Sequence, residues 1–148
     1  MHYLGKSKKE ICQILRDHQI SPTSQRVEMA HLLLKRAQHL TAEDVFKLVN
    51  REFSKVSRAT VYNNLNLFVE VGLLNELHIT PTMKIYDSNT SHHFHFVDEG
   101  TGALTDIDPH GINDSKVIEQ AQHAMKAQLG HAVQISDLQI VFKGRSNP

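Results

Sequence analysis

Cysteine is almost missing from this chain: its 148 residues include one, Cys12, with no tryptophan and only 4 prolines. A lone thiol closes no internal bridge, so a disulfide-stapled secreted scaffold is excluded and a reducing compartment is expected. No apolar run reaches the roughly 18 residues a membrane span requires, and Met1–Gly5 lacks the charged-then-apolar order of an export leader. A cytoplasmic protein with no membrane partner is therefore expected. With 7 glycines, 40% hydrophobic and 22% charged residues, neither a collagen-like nor a disordered chain fits. What remains is a globular chain long enough for one compact domain or two small ones.

A net charge of one sign is also lacking, since 16 basic and 16 acidic side chains cancel. The cancellation hides an asymmetry. Residues 1–87 carry 12 basic against 9 acidic side chains and residues 88–148 carry 4 against 7, so a basic half suited to a polyanion is joined to an acidic one. Histidine, by contrast, is plentiful. Four of the 11 histidines lie between His78 and His95, and clustered imidazole is first of all a metal hypothesis.

Periodicity divides the chain in two. Thr23 or Ser24 caps a helix with Val27, Ala30 and Leu34 on one stripe; Thr41 and Asp44 make a capping box ahead of Val45, Leu48 and Val49. A third helix runs from Ser57, with Val61, Leu65, Phe68 and Val69 apolar, to Gly72. The period then becomes 2, through Leu77 and Ile79, a turn at Thr80-Pro81-Thr82, and Met83 and Ile85. Helices followed by a hairpin suggest a winged helix-turn-helix, in which the last helix enters the major groove of DNA; a generic small α+β domain is the bland alternative. From His92 to Ile107 two short strands are expected around Gly100 and Gly102. A helix then runs from an N-cap at Asp114, with Val117, Ala121 and Met125 on a stripe, to Gly130, and a strand carries Leu138, Ile140 and Phe142 on one face. This gives an α+β chain with boundaries at 1–86, 87–91 as a hinge, and 92–148. The second piece is small and its apolar last strand is an exposed edge, which predicts a homodimer.

On the third helix, Arg58, Thr60, Tyr62, Asn63 and Asn66 lie off the apolar stripe. They supply a phosphate contact, a thymine-methyl or stacking contact and amide forks that suit adenine, with Arg26 and Lys55 as further phosphate contacts. A solvated polar face is the alternative. In the second half, His93 and His95 project from one face of a strand, roughly 7 Å apart, with Phe94 and Phe96 opposite. If the turn is a two-residue loop at Gly100-Thr101, Asp106 stands across from His95 with Cβ atoms about 5 Å apart. Such a His/Asp set suits Fe²⁺, Mn²⁺ or Zn²⁺; an exposed strand end is the alternative.

These residues carry a resemblance. His39-Leu-Thr-Ala-Glu-Asp-Val-Phe46, then Ala59-Thr-Val-Tyr-Asn-Asn-Leu65, then Asp87 with His93-x-His95 and Asp106, resemble the ferric uptake regulator family of dimeric, metal-responsive winged-helix transcription regulators. The resemblance runs from about Ile11 to Lys143. It implies one divalent ion per protomer at His39, Asp87, His93, His95 and Asp106, between a DNA-binding and a dimerisation domain, with aspartate at both carboxylate positions as in the peroxide-sensing branch. It also implies a double-stranded, palindromic, A/T-rich operator and a repressor of iron-homeostasis or peroxide-stress genes. The family's CxxC structural zinc site is missing, Asp98 and Thr101 standing where the first pair would fall. At a second family site His92 is kept but Phe94, Asn113 and Leu138 replace the other ligands. The HHxH strand is similar to the iron response regulator branch, which implies haem at His92–His95 as an alternative. A cupin-like metalloenzyme, suggested by His93-x-His95-xxx-Glu99, is the rival of a different class; no second histidine motif follows it, so no enzyme is expected.

Overall fold

A computed structural model describes residues 2–148, and the chain forms two compact units, one running through Ser91 and the other from His92 to Pro148. The first unit is built on caps. The helix α1 (Lys8–Asp17) starts on a reciprocal box between Ser7 and Glu10, α2 (Ser24–Leu34) on Thr23, α3 (Ala42–Glu52) on a Thr41/Asp44 box, and α4 (Arg58–Glu70) on Ser57. Each cap satisfies an amide that the first helical turn would otherwise leave open. Three of these starts stand where the sequence puts them; α1 is an additional helix. Beyond α4 the chain turns at Gly72, whose φ of +76° is a left-handed conformation that glycine adopts without strain.

Three strands complete this unit: β1 (His39–Leu40), β2 (Asn75–Thr80) and β3 (Met83–Asp87), in the order β1-β3-β2 and all antiparallel. The hairpin β2–β3 is the expected wing. The core lies among the helices, where Ile11, Leu15, Met29, Leu33, Val45, Val49, Val61, Leu65 and Phe68 are buried. Asp87 ends the sheet and Ser88 follows it, its Oγ accepting from the Gln38 amide at 3.0 Å and donating to the Arg36 carbonyl at 2.9 Å.

The second unit contains β4 (Phe94–Asp98), β5 (Leu104–Ile107), α5 (Asp114–Leu129) and β6 (Val141–Gly144). The sheet order is β5-β4-β6, with β4 antiparallel to β5 and parallel to β6. His95 pairs with Asp106 and Phe94 with Ile107, the register expected from the sequence. The loop is longer than the expected two residues. Asp98 donates its amide to the Ala103 carbonyl, and Gly102 donates to Asp98 at a φ of +74°, so four residues turn the chain without altering the pairing. Two boundaries shift. Asn113 rather than Asp114 caps α5, its Oδ1 accepting from the Lys116 amide, and β6 begins at Val141, past Leu138 and Ile140. Among the described residues no helix is long and apolar enough to cross a membrane.

Candidate metal centre and nucleic-acid interface

Backbone pairing creates the first ligand pair. Gln38 anchors the chain end of α2 by donating its side-chain amide to the Leu32 and Leu33 carbonyls at 2.9 and 2.8 Å. The next residue, His39, then pairs with Asp87 across β1–β3, and its Nε2 lies 3.5 Å from Asp87 Oδ2. Asp87 is 1% exposed, a carboxylate withdrawn from water at the end of a strand. Its Oδ1 accepts from the Asn89 amide at 2.8 Å, which fixes the other oxygen toward His39.

In the second unit, His93 and His95 flank the buried Phe94 and turn their rings to one side, bringing their Nε2 atoms to 3.0 Å. Asp106 Oδ1 lies 3.3 Å from His93 Nε2 and 3.6 Å from His95 Nε2. The two histidine side chains are 7% and 9% exposed. An ion about 2.0–2.2 Å from each of two ligand atoms holds those atoms about 2.8–3.6 Å apart at octahedral or tetrahedral angles. Both sets of distances fit that requirement, and neutral imidazole with carboxylate is the donor chemistry of a borderline divalent ion. His92 is placed otherwise: its Nε2 pairs with Asp114 and its ring stands edge-on to Phe94, with centroids 5.3 Å apart. Of the remaining second-site positions, Phe94 is committed to the core and Asn113 to the α5 cap.

The α4 surface carries Tyr62, 50% exposed, with Asn63 and Asn66 also exposed. A groove of about 560 Å³ separates Tyr62 from the wing residues Thr80, Thr82, Met83 and Lys84. Lys55 is exposed ahead of the α4 cap, and Thr60 Oγ1 lies 2.9 Å from Ser57 Oγ within that cap. Arg58 is exposed but engaged with its own chain. It donates through Nε and Nη2 to Glu43 at 3.2 and 3.0 Å and sits 4.2 Å above the Phe46 ring, tying α4 to α3. The pair holds the Glu43 carboxyl below its ordinary range, chiefly through the Arg58 hydrogen bond. Arg26 is likewise held, donating Nε to Asn64 Oδ1 at 3.1 Å and Nη1 to the Ser21 carbonyl at 3.2 Å. Sequence reasoning passed over Asn64. The signal was available: an amide three residues from Val61 and four from Phe68 falls on the buried stripe, where it must find a partner.

A winged-helix unit joined to a small α/β unit, each bearing His/Asp ligands, has the layout of a metal-responsive DNA-binding regulator. The model of the ferric uptake regulator family matches residues 17–136. The chain is 32% identical over 123 residues to the peroxide operon regulator of Bacillus subtilis strain 168, covering 83% of each protein. It is 30% identical over 117 residues to the peroxide-responsive repressor PerR of Staphylococcus aureus strain Mu50, covering 79% of this chain and 78% of that one. Among solved structures, the Vibrio cholerae ferric uptake regulator superposes with a TM-score of 0.67 at 26% identity, covering 91% of this chain and 98% of that chain. The chain belongs to the ferric uptake regulator family. Its relatives are transcription regulators, not enzymes, which removes the cupin-like reading.

Proposed function

We propose that this protein is a dimeric transcription repressor in which one divalent ion per protomer, Fe²⁺, Mn²⁺ or Zn²⁺, is held jointly by His39, Asp87, His93, His95 and Asp106. The convergence of His93, His95 and Asp106 within 3.0–3.6 Å in one unit, matched by His39 and Asp87 at 3.5 Å in the other, carries this reading. When bound, the ion supplies positive charge that offsets two aspartates and accepts four or five lone pairs. The chain does the rest. His39 and Asp87 sit on the sheet that ends in the wing, and His93, His95 and Asp106 on the sheet of the second unit. Ligands shared between the two units favour one relative orientation, and the shift in population is set by the difference in ion affinity between orientations. Orientation in turn sets the spacing of the two recognition helices of a dimer, which must match half-sites roughly 34 Å apart or a multiple of it.

Residues 1–86 are the DNA-reading part, 87–91 the hinge and 92–148 the dimerising part. Tyr62, Asn63, Asn66 and Thr60 face bases, while Arg26, Lys55 and Arg58 serve the backbone contact, Arg58 by holding α4 in place. The partner is a palindromic, A/T-rich duplex, the genes controlled are those of iron homeostasis or peroxide stress, and the location is the cytoplasm. The haem alternative is not supported, and His92 is engaged with Asp114. The test is operator binding with and without a chelator. Wild-type protein is expected to bind tightly only in the loaded state, whereas His93→Ala and Asp106→Ala lower ion affinity and abolish that difference while leaving the helical signal intact. Unchanged metal-dependent binding in either variant removes the reading.

A further inference from the structure

At the start of α2, Thr23 Oγ1 accepts from the Arg26 amide, and among the described residues the Ser24 and Gln25 amides have no partner within the chain. The first turn holds no acidic residue, so the positive end of the helix dipole is uncompensated. This turn opens on a cleft of about 440 Å³, lined by Thr23–Arg26 together with Thr60, Asn63 and Asn64 of α4. Among the described residues no carboxylate lines it.

Asn64 points to the same ligand independently. It is 7% exposed, lines the cleft, and accepts at Oδ1 from Arg26 Nε, while its Nδ2 donates to no group among the described residues. An amide donor that lines the cleft and is not taken up by the chain is available to an acceptor seated there. Arg26 is fixed by two of its nitrogens, and its Nη2 is likewise without a partner among the described residues. A guanidinium, a side-chain amide and the first-turn backbone thus line a space large enough for a tetrahedral anion.

We propose that this cleft seats one phosphate of the DNA backbone, with Arg26 and Asn64 holding each other as the clamp. The proposal rests on the reading of the protein as a DNA-binding regulator. Since Asn63 and Thr60 line the cleft from the recognition helix itself, the seated phosphate fixes the register in which Tyr62 and Asn66 meet the bases.

The experiment measures the salt dependence of binding by the full-length, metal-loaded protein to an operator duplex, and repeats it with single methylphosphonates that neutralise one phosphate at a time. Losing one phosphate contact lowers the magnitude of the log–log salt slope by about 0.9. Arg26→Met is expected to reduce it by about that amount for each bound protomer. One methylphosphonate position is expected to weaken the wild type about tenfold yet leave Arg26→Met unaffected. Ser24→Pro is the variant that guards against misfolding. Ser24 is the first residue of α2, where proline is well tolerated, so the substitution deletes an amide donor while the helix stays capped. It is expected to weaken binding several-fold with an unchanged melting temperature. An unchanged salt slope in Arg26→Met, or a methylphosphonate penalty identical in wild type and variant, overturns the clamp. Absence of DNA binding by the wild type would instead overturn the regulator reading on which it rests.

Discussion

Tyr86 stands beside Asp87 on β3 and is 2% exposed, yet its hydroxyl is buried without a hydrogen-bond partner among the described residues. Burial, aided by the nearby Glu76 and Tyr62, pushes its ionisation above the ordinary tyrosine range, so the group is a neutral phenol at any physiological pH. A buried hydroxyl with no acceptor costs about 1–3 kcal/mol, whereas the ring packs as phenylalanine would. Tyr86→Phe is therefore expected to leave stability unchanged or raise it by about 1 kcal/mol in urea unfolding. A loss of more than about 1 kcal/mol would show that the hydroxyl has an acceptor after all.

Caps decide where the elements begin, and α1 shows this most directly. The Ser7 amide and hydroxyl both donate to Glu10 Oε2 at 2.8 Å, and Lys6 lies 3.2 Å from the same carboxyl, which lowers its pKa to about 2. Because the folded value lies below the unfolded value near 4.5, the cap contributes fully above pH 4.5 and is lost as the pH falls toward 2. In an NMR titration the Glu10 carboxyl is expected to change near pH 2, and in Ser7→Ala to move up toward 4.5. A wild-type midpoint near 4.5 would refute the box. The same logic explains what was legible in the sequence. The starts of α2, α3 and α4 follow from Thr23, Thr41 and Ser57, and the pairing of His95 with Asp106 follows from period-2 alternation around a glycine turn. By contrast, β1 is two residues long and exists only through its pairing with β3, a contact of high sequence separation that no local pattern announces. The shift of the α5 cap by one residue has a similar cause. Asn113 and Asp114 are both capping residues, and only the backbone conformation of Asn113 selects between them.

The whole molecule turns on how the second unit is completed. Asp98 accepts from Ser146 Oγ and the Gly100 amide, both at 2.8 Å, so hydrogen bonds rather than thiolates tie the tail after β6 to the β4–β5 turn. The Ser146 hydrogen bond is the main cause holding the Asp98 carboxyl below its ordinary range. This tie does not cover apolar surface. In α5 no residue is fully buried, Met125 and Leu129 are exposed, and β6 is an edge strand with Phe142 43% exposed. A three-stranded sheet and one helix bury little apolar surface with such an edge open, and in the proposed dimer a second copy of the chain would cover the edge and the helix. Phe142→Glu is accordingly expected to convert the dimer to a monomer by light scattering. Operator affinity should fall by orders of magnitude, since one recognition helix meets one half-site, while ion binding to isolated protomers persists. A Phe142→Glu protein that retains dimer mass would place the contact elsewhere on the second unit.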